Sequence, residues 1–314
     1  MEGIKYRNLN MANSSDWIGA LRLRTLPLSI SGILVGSFVA VFQGYWNPII
    51  FTLALSTTLL FQILSNLAND LGDSLKGADN SERVGPMRAV QSGSISKDAM
   101  KTAVILTSIL SFVSAGLLIY FGTRNLSATS VYIYIGLAIA SVFAAITYTI
   151  GKKAYGYNGL GDLFVFIFFG LVSVIGVYPL FSDTLSWILI LPAITIGFLS
   201  TAVLNLNNLR DRENDEKVGK RTLVVKLGAS NAKKYHYFLI ITAFSSWIVF
   251  LVLTRNWLGF ISLIPIILFI KHLVFVARNT VPRELDSQLK IVALGTFFIS
   301  ILYVISVSIN QWIL

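Results

Sequence analysis

Nine apolar segments, each close to the length that crosses a lipid bilayer, constrain this chain more than any other feature. They lie at about 28–46, 48–66, 102–122, 130–150, 160–181, 185–206, 237–254, 256–275 and 290–312. A hydrocarbon core about 30 Å thick takes about 20 mostly apolar residues per helix. Backbone amides in lipid find no water, so each segment must satisfy its hydrogen bonds internally, as a helix. Composition agrees, with 55% of the 314 residues hydrophobic, 13% charged and a mean hydropathy of +0.72. The expected fold is all-α: a multi-pass membrane protein of nine transmembrane helices, with residues 1–314 forming one domain. Residues 1–27 carry no apolar core of the kind a cleavable leader needs.

The net charge of +10 reflects topology and not nucleic acid. With nine spans, the amino terminus and the loops after even-numbered spans share one side. That side carries 23 of the 25 Lys and Arg residues, leaving Arg124 and Arg255 for the other. Basic residues mark the cytoplasmic face, so the amino terminus and the long polar loops are expected in the cytoplasm, the setting being the cell (inner) membrane. There are no cysteines, which excludes disulfides, thiolate catalysis and zinc–thiolate or iron–sulfur sites. His236 and His272 fall beside basic residues at predicted helix ends, an arrangement that argues against a two-histidine metal site.

Nine of the fifteen acidic residues sit in two cytoplasmic loops: Asp70, Asp73, Asp79, Glu82 and Asp98 in the one that opens with NLANDLGDSLKGADN at 66–80, and Asp211, Glu213, Asp215 and Glu216 in the one that opens with NNLRDRENDEKVGK at 207–220. Each follows an apolar span, and Asn69-x-x-x-Asp73 aligns with Asn207-x-x-x-Asp211-x-x-x-Asp215. Residues four apart on a helix share a face. Asn69 and Asp73 therefore point one way, as do Asn207, Asp211 and Asp215, while Asp70 and Asp73 are neighbours three apart. Carboxylates clustered beside a membrane core repel one another and lose hydration unless a cation compensates. Mg²⁺ fits: it takes oxygen ligands and binds through one or two carboxylates plus substrate phosphates. Two such faces opposing each other can hold a diphosphate, with Asp70, Asp73, Asp211 and Asp215 as candidate metal ligands.

Candidate groups for the remaining phosphate oxygens lie on the same side: Arg22, Arg24, Arg83, Arg88, Lys152, Arg210 and Lys220. Tyr148 precedes Lys152 by four residues, a spacing that puts a hydroxyl and an ammonium on one helical face. Transport is the rival reading from another class, since intramembrane charges mark ion pathways. Transporter sites, however, lie near the midplane on broken helices, and here the acids gather at span ends.

Several stretches resemble the UbiA superfamily of intramembrane prenyltransferases, and within it the branch acting on 1,4-dihydroxy-2-naphthoate in menaquinone synthesis. They are RLRTLP (22–27), the acidic stretch at 66–80, RVGPMRAVQSG (83–93), YGYNGLGDLFVFIFFG (155–170) and NNLRDRENDEKVGKRTLVVKLG (207–228). The last three spans match only as apolar helices. The resemblance implies Mg²⁺-dependent transfer of a polyprenyl group from polyprenyl diphosphate to the naphthoate with loss of CO₂. It implies that Asn69, Asp73, Asn207, Asp211 and Asp215 hold Mg²⁺ and diphosphate, while Lys152, Tyr148, Arg24 and Arg83 steady the phosphates. Other aromatic acceptors, 4-hydroxybenzoate or homogentisate, are the nearest alternatives. Many superfamily members carry an acid where this chain has Gly77, which is read here as a turn position.

Overall fold

The computed structural model describes residues 12–80 and 84–313, all in helices, turns and loops with no strand among them. Nine helical stretches among the described residues are long and apolar enough to cross a membrane. The first joins α1 (Ser14–Leu21) to α2 (Leu26–Phe42), and the second is α3 (Pro48–Leu75). A four-residue turn of helix, α4 (Ala89–Ser92), precedes α5 (Lys97–Gly122) and α6 (Ala128–Thr147). The fifth span runs from α7 (Gly161–Val165) through a π-helical stretch (Phe166–Ile175) to α8 (Pro179–Ser182). Next come α9 (Ile190–Lys217), α10 (Leu223–Leu253), α11 (Ile266–Arg278) and α12 (Leu285–Ile313).

Helices α3 and α9 outrun their apolar segments by about three turns, to Leu75 and Lys217. The acidic motifs are thus on helices, continuous with the spans. At the end of α3, Gly77 takes a φ of +71°. Ala78 N–H then donates to Asp73 O at 3.1 Å and Lys76 N–H to Gly72 O at 3.2 Å. This is a left-handed helix stop that favours glycine, so the expected turn role of Gly77 holds. Residues 223–236 join α10 through a break at Gly228 (φ +75°), which starts that helix well before its apolar segment.

The buried side chains form two main cores. One gathers α1, α3, α5 and α6 around Leu64, Leu67 and Met100. The other gathers α2, α9, α10, α11 and α12 around Leu199, Trp247 and Tyr303. His236 and His272 belong to this second half: both are buried inside helices, and their Nε2 atoms lie 2.8 Å apart. They are not at helix ends as the sequence suggests, because α10 starts earlier and α11 continues to Arg278.

The π-helical stretch is clamped by small residues on both sides. A Cβ on Gly32 would lie 2.9 Å from Phe169 O, and one on Gly36 would lie 2.5 Å from Val174 O. On the opposite flank, a Cβ on Gly170 would lie 2.6 Å from Ala193 O and 2.8 Å from Gly197 Cα. Without a hydrophobic drive between helices in lipid, close backbone approach of this kind supplies the packing. Leu180 N–H bonds to Val177 O, so Gly176 O takes its hydrogen bond from the Tyr134 hydroxyl on α6, at 2.7 Å. Because the atoms facing Gly170 are backbone, Gly170→Leu should destabilise the protein by about 1–3 kcal/mol or more. A fall in the thermal unfolding midpoint in detergent checks this, with Gly136→Leu, which has nothing within 4 Å of its Cβ, as an unchanged control.

Candidate active site

The polar ends of α3 and α9 face each other. On α3, Asp73 is only 2% exposed and is held on three sides. Arg88 Nη1 lies 2.5 Å from its Oδ2, the Tyr157 hydroxyl donates to its Oδ1 at 2.7 Å, and Lys220 Nζ lies 4.0 Å away. Arg88 also reaches Asp79 at 3.0 Å and Asn69 O at 2.9 Å. Burial works to lower the Arg88 pKa, but the adjacent Asp73 and Asp79 carboxylates outweigh it and raise it, so this guanidinium stays charged. Asp70 has a different engagement: its two oxygens accept the backbone N–H groups of Ala89 and Val90 at 3.1 and 3.2 Å, anchoring α4. Asn69 Oδ1 accepts from Thr149 at 3.3 Å, where α3 passes so close that a Cβ on Gly72 would overlap the Thr149 side chain.

On α9, Arg210 forks onto Asp211 at 2.7 and 3.0 Å, donates to Asn207 Oδ1 at 2.9 Å, and bonds Asp286 at the start of α12. Asp215 lies 3.6 Å from Lys220. One ammonium, Lys220, therefore bridges the two motifs, with Asp73 on one side and Asp215 on the other. Asn214 reinforces the junction by donating to Ala78 O at 3.2 Å, beyond the end of α3.

Below this polar junction is a cavity of about 1270 Å³ at the seam of the two cores. Asn69, Asp73, Arg88, Asn207, Arg210 and Lys220 line its polar end, and Arg24 and Tyr148 also face it. Its apolar end is lined by Leu118, Ile119, Tyr134, Phe168, Val172 and Leu180. From Asn69 down α3 to Ala54, the cavity follows the helix for about 22 Å at 1.5 Å per residue. Burial, then the charges of Asp73, Asp162 and Asp215, raises the Tyr148 pKa, so it faces the cavity as a neutral phenol.

Residues 29–302 match the UbiA prenyltransferase family. The chain belongs to the UbiA prenyltransferase family. Members of the family are generally divalent-metal dependent. A 1,4-dihydroxy-2-naphthoate octaprenyltransferase of Escherichia coli is 40% identical over 303 residues, covering 96% of this chain and 98% of that protein. The Haemophilus influenzae protein of the same name is 42% identical, covering 91% and 94%. In fold, the chain is similar to the apo structure of a UbiA homolog from Aeropyrum pernix, with a TM-score of 0.65 at 17% identity, covering 88% of this chain and 97% of that one.

Some residues singled out from the sequence of this UbiA family member lie elsewhere. Helix α6 ends at Thr147, and Gly151 turns the chain with a φ of +98°. Lys152 is consequently exposed and off the cavity, so Tyr148 and Lys152 do not share the helical face that their spacing suggests. Asp211 and Asp215 stand behind the cavity wall, buried against Arg210 and Lys220. Arg83 lies outside the described residues. Two site residues were not legible as such. Tyr157 holds Asp73 while Lys76 sits 4.0 Å and Lys220 5.4 Å from its ring centroid. Asp286 meets Arg210 from the last span, which carried no motif.

The two first-motif acids should therefore respond differently to substitution. Asp70→Asn should lower the thermal midpoint, by about 1–3 kcal/mol for a buried acceptor removed from two amides, yet leave prenyl transfer in the folded protein. Asp73→Asn should abolish transfer. Calorimetry and product formation measured on the same preparations separate the two.

Proposed function

We propose that this protein transfers a polyprenyl group from polyprenyl diphosphate to 1,4-dihydroxy-2-naphthoate, releasing diphosphate and CO₂ and giving a demethylmenaquinol. The observation that carries this reading is the junction of two Asn/Asp motifs around Lys220 at the mouth of a long apolar cavity. The names of the relatives point to the same acceptor.

The polar end fits Mg²⁺. Carboxylate and amide oxygens of Asn69, Asp73 and Asn207 line that end, and those of Asp211 and Asp215 stand directly behind, paired with Arg210 and Lys220. Asp215 Oδ2 is buried with no hydrogen-bond partner, as are the side-chain oxygens of Asn208 and Asn214. No three acidic or histidine side chains among the described residues close a metal site by themselves. That suits an ion which completes its shell with water and substrate phosphate. When bound, Mg²⁺ would offset the charge that develops on the departing diphosphate.

The protein's own groups supply the rest. Arg88 and Lys220, with Arg24 at the rim, grip phosphate oxygens, and the Tyr148 hydroxyl supports them. Arg88 is already fixed by Asp73 and Asp79, so little reorganisation is needed as the C1–O bond breaks and its electron pair leaves with diphosphate. The allylic C1 is attacked by the ring carbon that bears the carboxylate. Departure of CO₂ leaves its bonding pair in the ring, restoring aromaticity and balancing the positive charge. The apolar wall around Phe168 and Val172 keeps water from the cation while it exists.

The test uses purified protein in nanodiscs with polyprenyl diphosphate, following product by mass spectrometry. Prenylated product should form from the naphthoate, not from 4-hydroxybenzoate, and should disappear with EDTA or in Asp211→Ala. Product from 4-hydroxybenzoate would replace the acceptor, and full activity in Asp211→Ala would overturn the two-motif site. The charge asymmetry supports a cytoplasmic site in the cell membrane. In this cysteine-free chain, a single Ser96→Cys should react with impermeant maleimide only from the cytoplasmic side and Asn125→Cys only from the other; the reverse pattern would invert the topology.

A further inference from the structure

The cations on the cavity wall divide by partner. Arg88 is paired with Asp73 and Asp79, Arg210 with Asp211 and Asp286, and Lys220 lies between Asp215 and Asp73. These three serve the acidic motifs. Two further cations line the cavity with neither an ion pair nor a hydrogen bond among the described residues: Arg24, given above to the phosphates, and Lys290. Lys290 comes from α12, the helix that no sequence motif marked.

The placement of Lys290 follows from how α12 packs. Helix α12 runs along α2 in the same direction, and at its far end Gln311 donates to Val41 O at 3.0 Å. The starts of α2 and α12 therefore share the membrane face that carries the motifs. At that start, Asp286 is bonded to Arg210, which fixes the first turn of α12 against Asn207 and Asp211. Asp286, Lys290, Ala293 and Leu294 follow at helical spacing, and all four line the cavity. Reading inward, this face presents a neutralised acid, an unneutralised ammonium, then small and apolar surface.

We propose that this face of α12 is the wall on which the acceptor rests, with Lys290 as the cation that binds the carboxylate of an aromatic acid. The flat ring lies on Ala293 and Leu294, and its charge stays at the rim where Lys290 is. A diphosphate donor has its counter-charges in Arg88 and Lys220, which Asp73 and Asp215 hold in place, and Lys290 makes no hydrogen bond or ion pair with either of them. The assignment also gives the reaction a direction at this wall: the product has lost the carboxylate and with it the attraction to Lys290. The inference rests on the proposed transfer to a hydroxylated aromatic acid and adds the residue that selects for the acid.

The test is steady-state kinetics on the full-length protein in nanodiscs, varying donor and acceptor separately for wild type, Lys290→Gln and Lys290→Arg. Loss of a charge-assisted contact at the cavity rim should raise the KM for 1,4-dihydroxy-2-naphthoate about tenfold or more in Lys290→Gln. The KM for polyprenyl diphosphate should stay within about twofold, and Lys290→Arg should restore most of the acceptor affinity. As a competitor, 1,4-dihydroxynaphthalene, which lacks the carboxylate, should have the same inhibition constant in wild type and Lys290→Gln. An unchanged acceptor KM, a raised donor KM, or equal weakening of the acid and its uncharged counterpart would each overturn the assignment. Wild type that prenylates no naphthoate would instead overturn the transfer reading.

Discussion

A single ammonium group, that of Lys220, ties the molecule together where its two halves meet. Asp73 comes from the helix that organises one core and Asp215 from the helix that organises the other, and both carboxylates are almost fully buried. Burying an ion costs several kcal/mol, and removing one partner of a buried pair costs about 3–5 kcal/mol. Left alone, the two acids would push α3 and α9 apart. With Lys220 between them and Arg88 and Arg210 behind, the same acids hold the helices in register. The arrangement concentrates negative groups where a cation and a diphosphate can exchange for part of this internal compensation.

The division into two cores explains why there is a cavity at all. Each core is packed within itself, and the seam between them is bridged by ions at the end that carries the acidic motifs. Farther along, it is bridged by a small apolar cluster in which Ile33 of α2 and Val177 of the fifth span meet Ala54 of α3. Between these closures the helices diverge, and the space is walled by Phe168, Val172 and Leu180 on one side and Leu118 and Ile119 on the other. A π-helix widens the helical barrel and re-aims its side chains, and here it lies against the apolar part of that space. The Tyr134 hydroxyl satisfies the Gly176 carbonyl near its end, so the irregular backbone stays compatible with a membrane interior.

Much of this was legible in the sequence, for identifiable reasons. Span number follows from length and hydropathy, and the opposed motifs follow from four-residue spacing continued beyond an apolar run. Legibility fails where function depends on a long-range contact or on where a helix stops. The Tyr148–Lys152 pairing assumed a helix that in fact ends at Thr147 before a left-handed glycine. Asp70 looks like a third metal ligand until α4 is seen folding back over it and placing the amides of Ala89 and Val90 on its oxygens. Tyr157, 84 residues from Asp73, carries no local pattern that links the two. Lys290 is invisible for the opposite reason: a basic residue near a span end is what the positive-inside rule expects, and its place on the cavity wall without a partner appears only in the fold.

The proposed chemistry asks for two incompatible environments within one reach, a polar one for a diphosphate and a dry one for an allylic carbon. A soluble fold would have to build the dry half by burying a large apolar surface around an empty slot. In a bilayer, helices already face hydrocarbon, so a seam between two helical cores is dry without further construction. What the protein must build is the polar end, and there the cost of burying acids is met by cations on the same helices or on loops directly following them. Lys220 lies five residues beyond Asp215, and Arg210 adjoins Asp211, so α9 carries most of its own compensation. Helix α3 carries little beyond Lys76, and depends on Arg88 from the next loop and Lys220 from the loop after α9 to offset the charge of Asp73. That dependence ties the first motif to the second half of the molecule, because the Lys220 ammonium that faces Asp73 is held on its other side by Asp215.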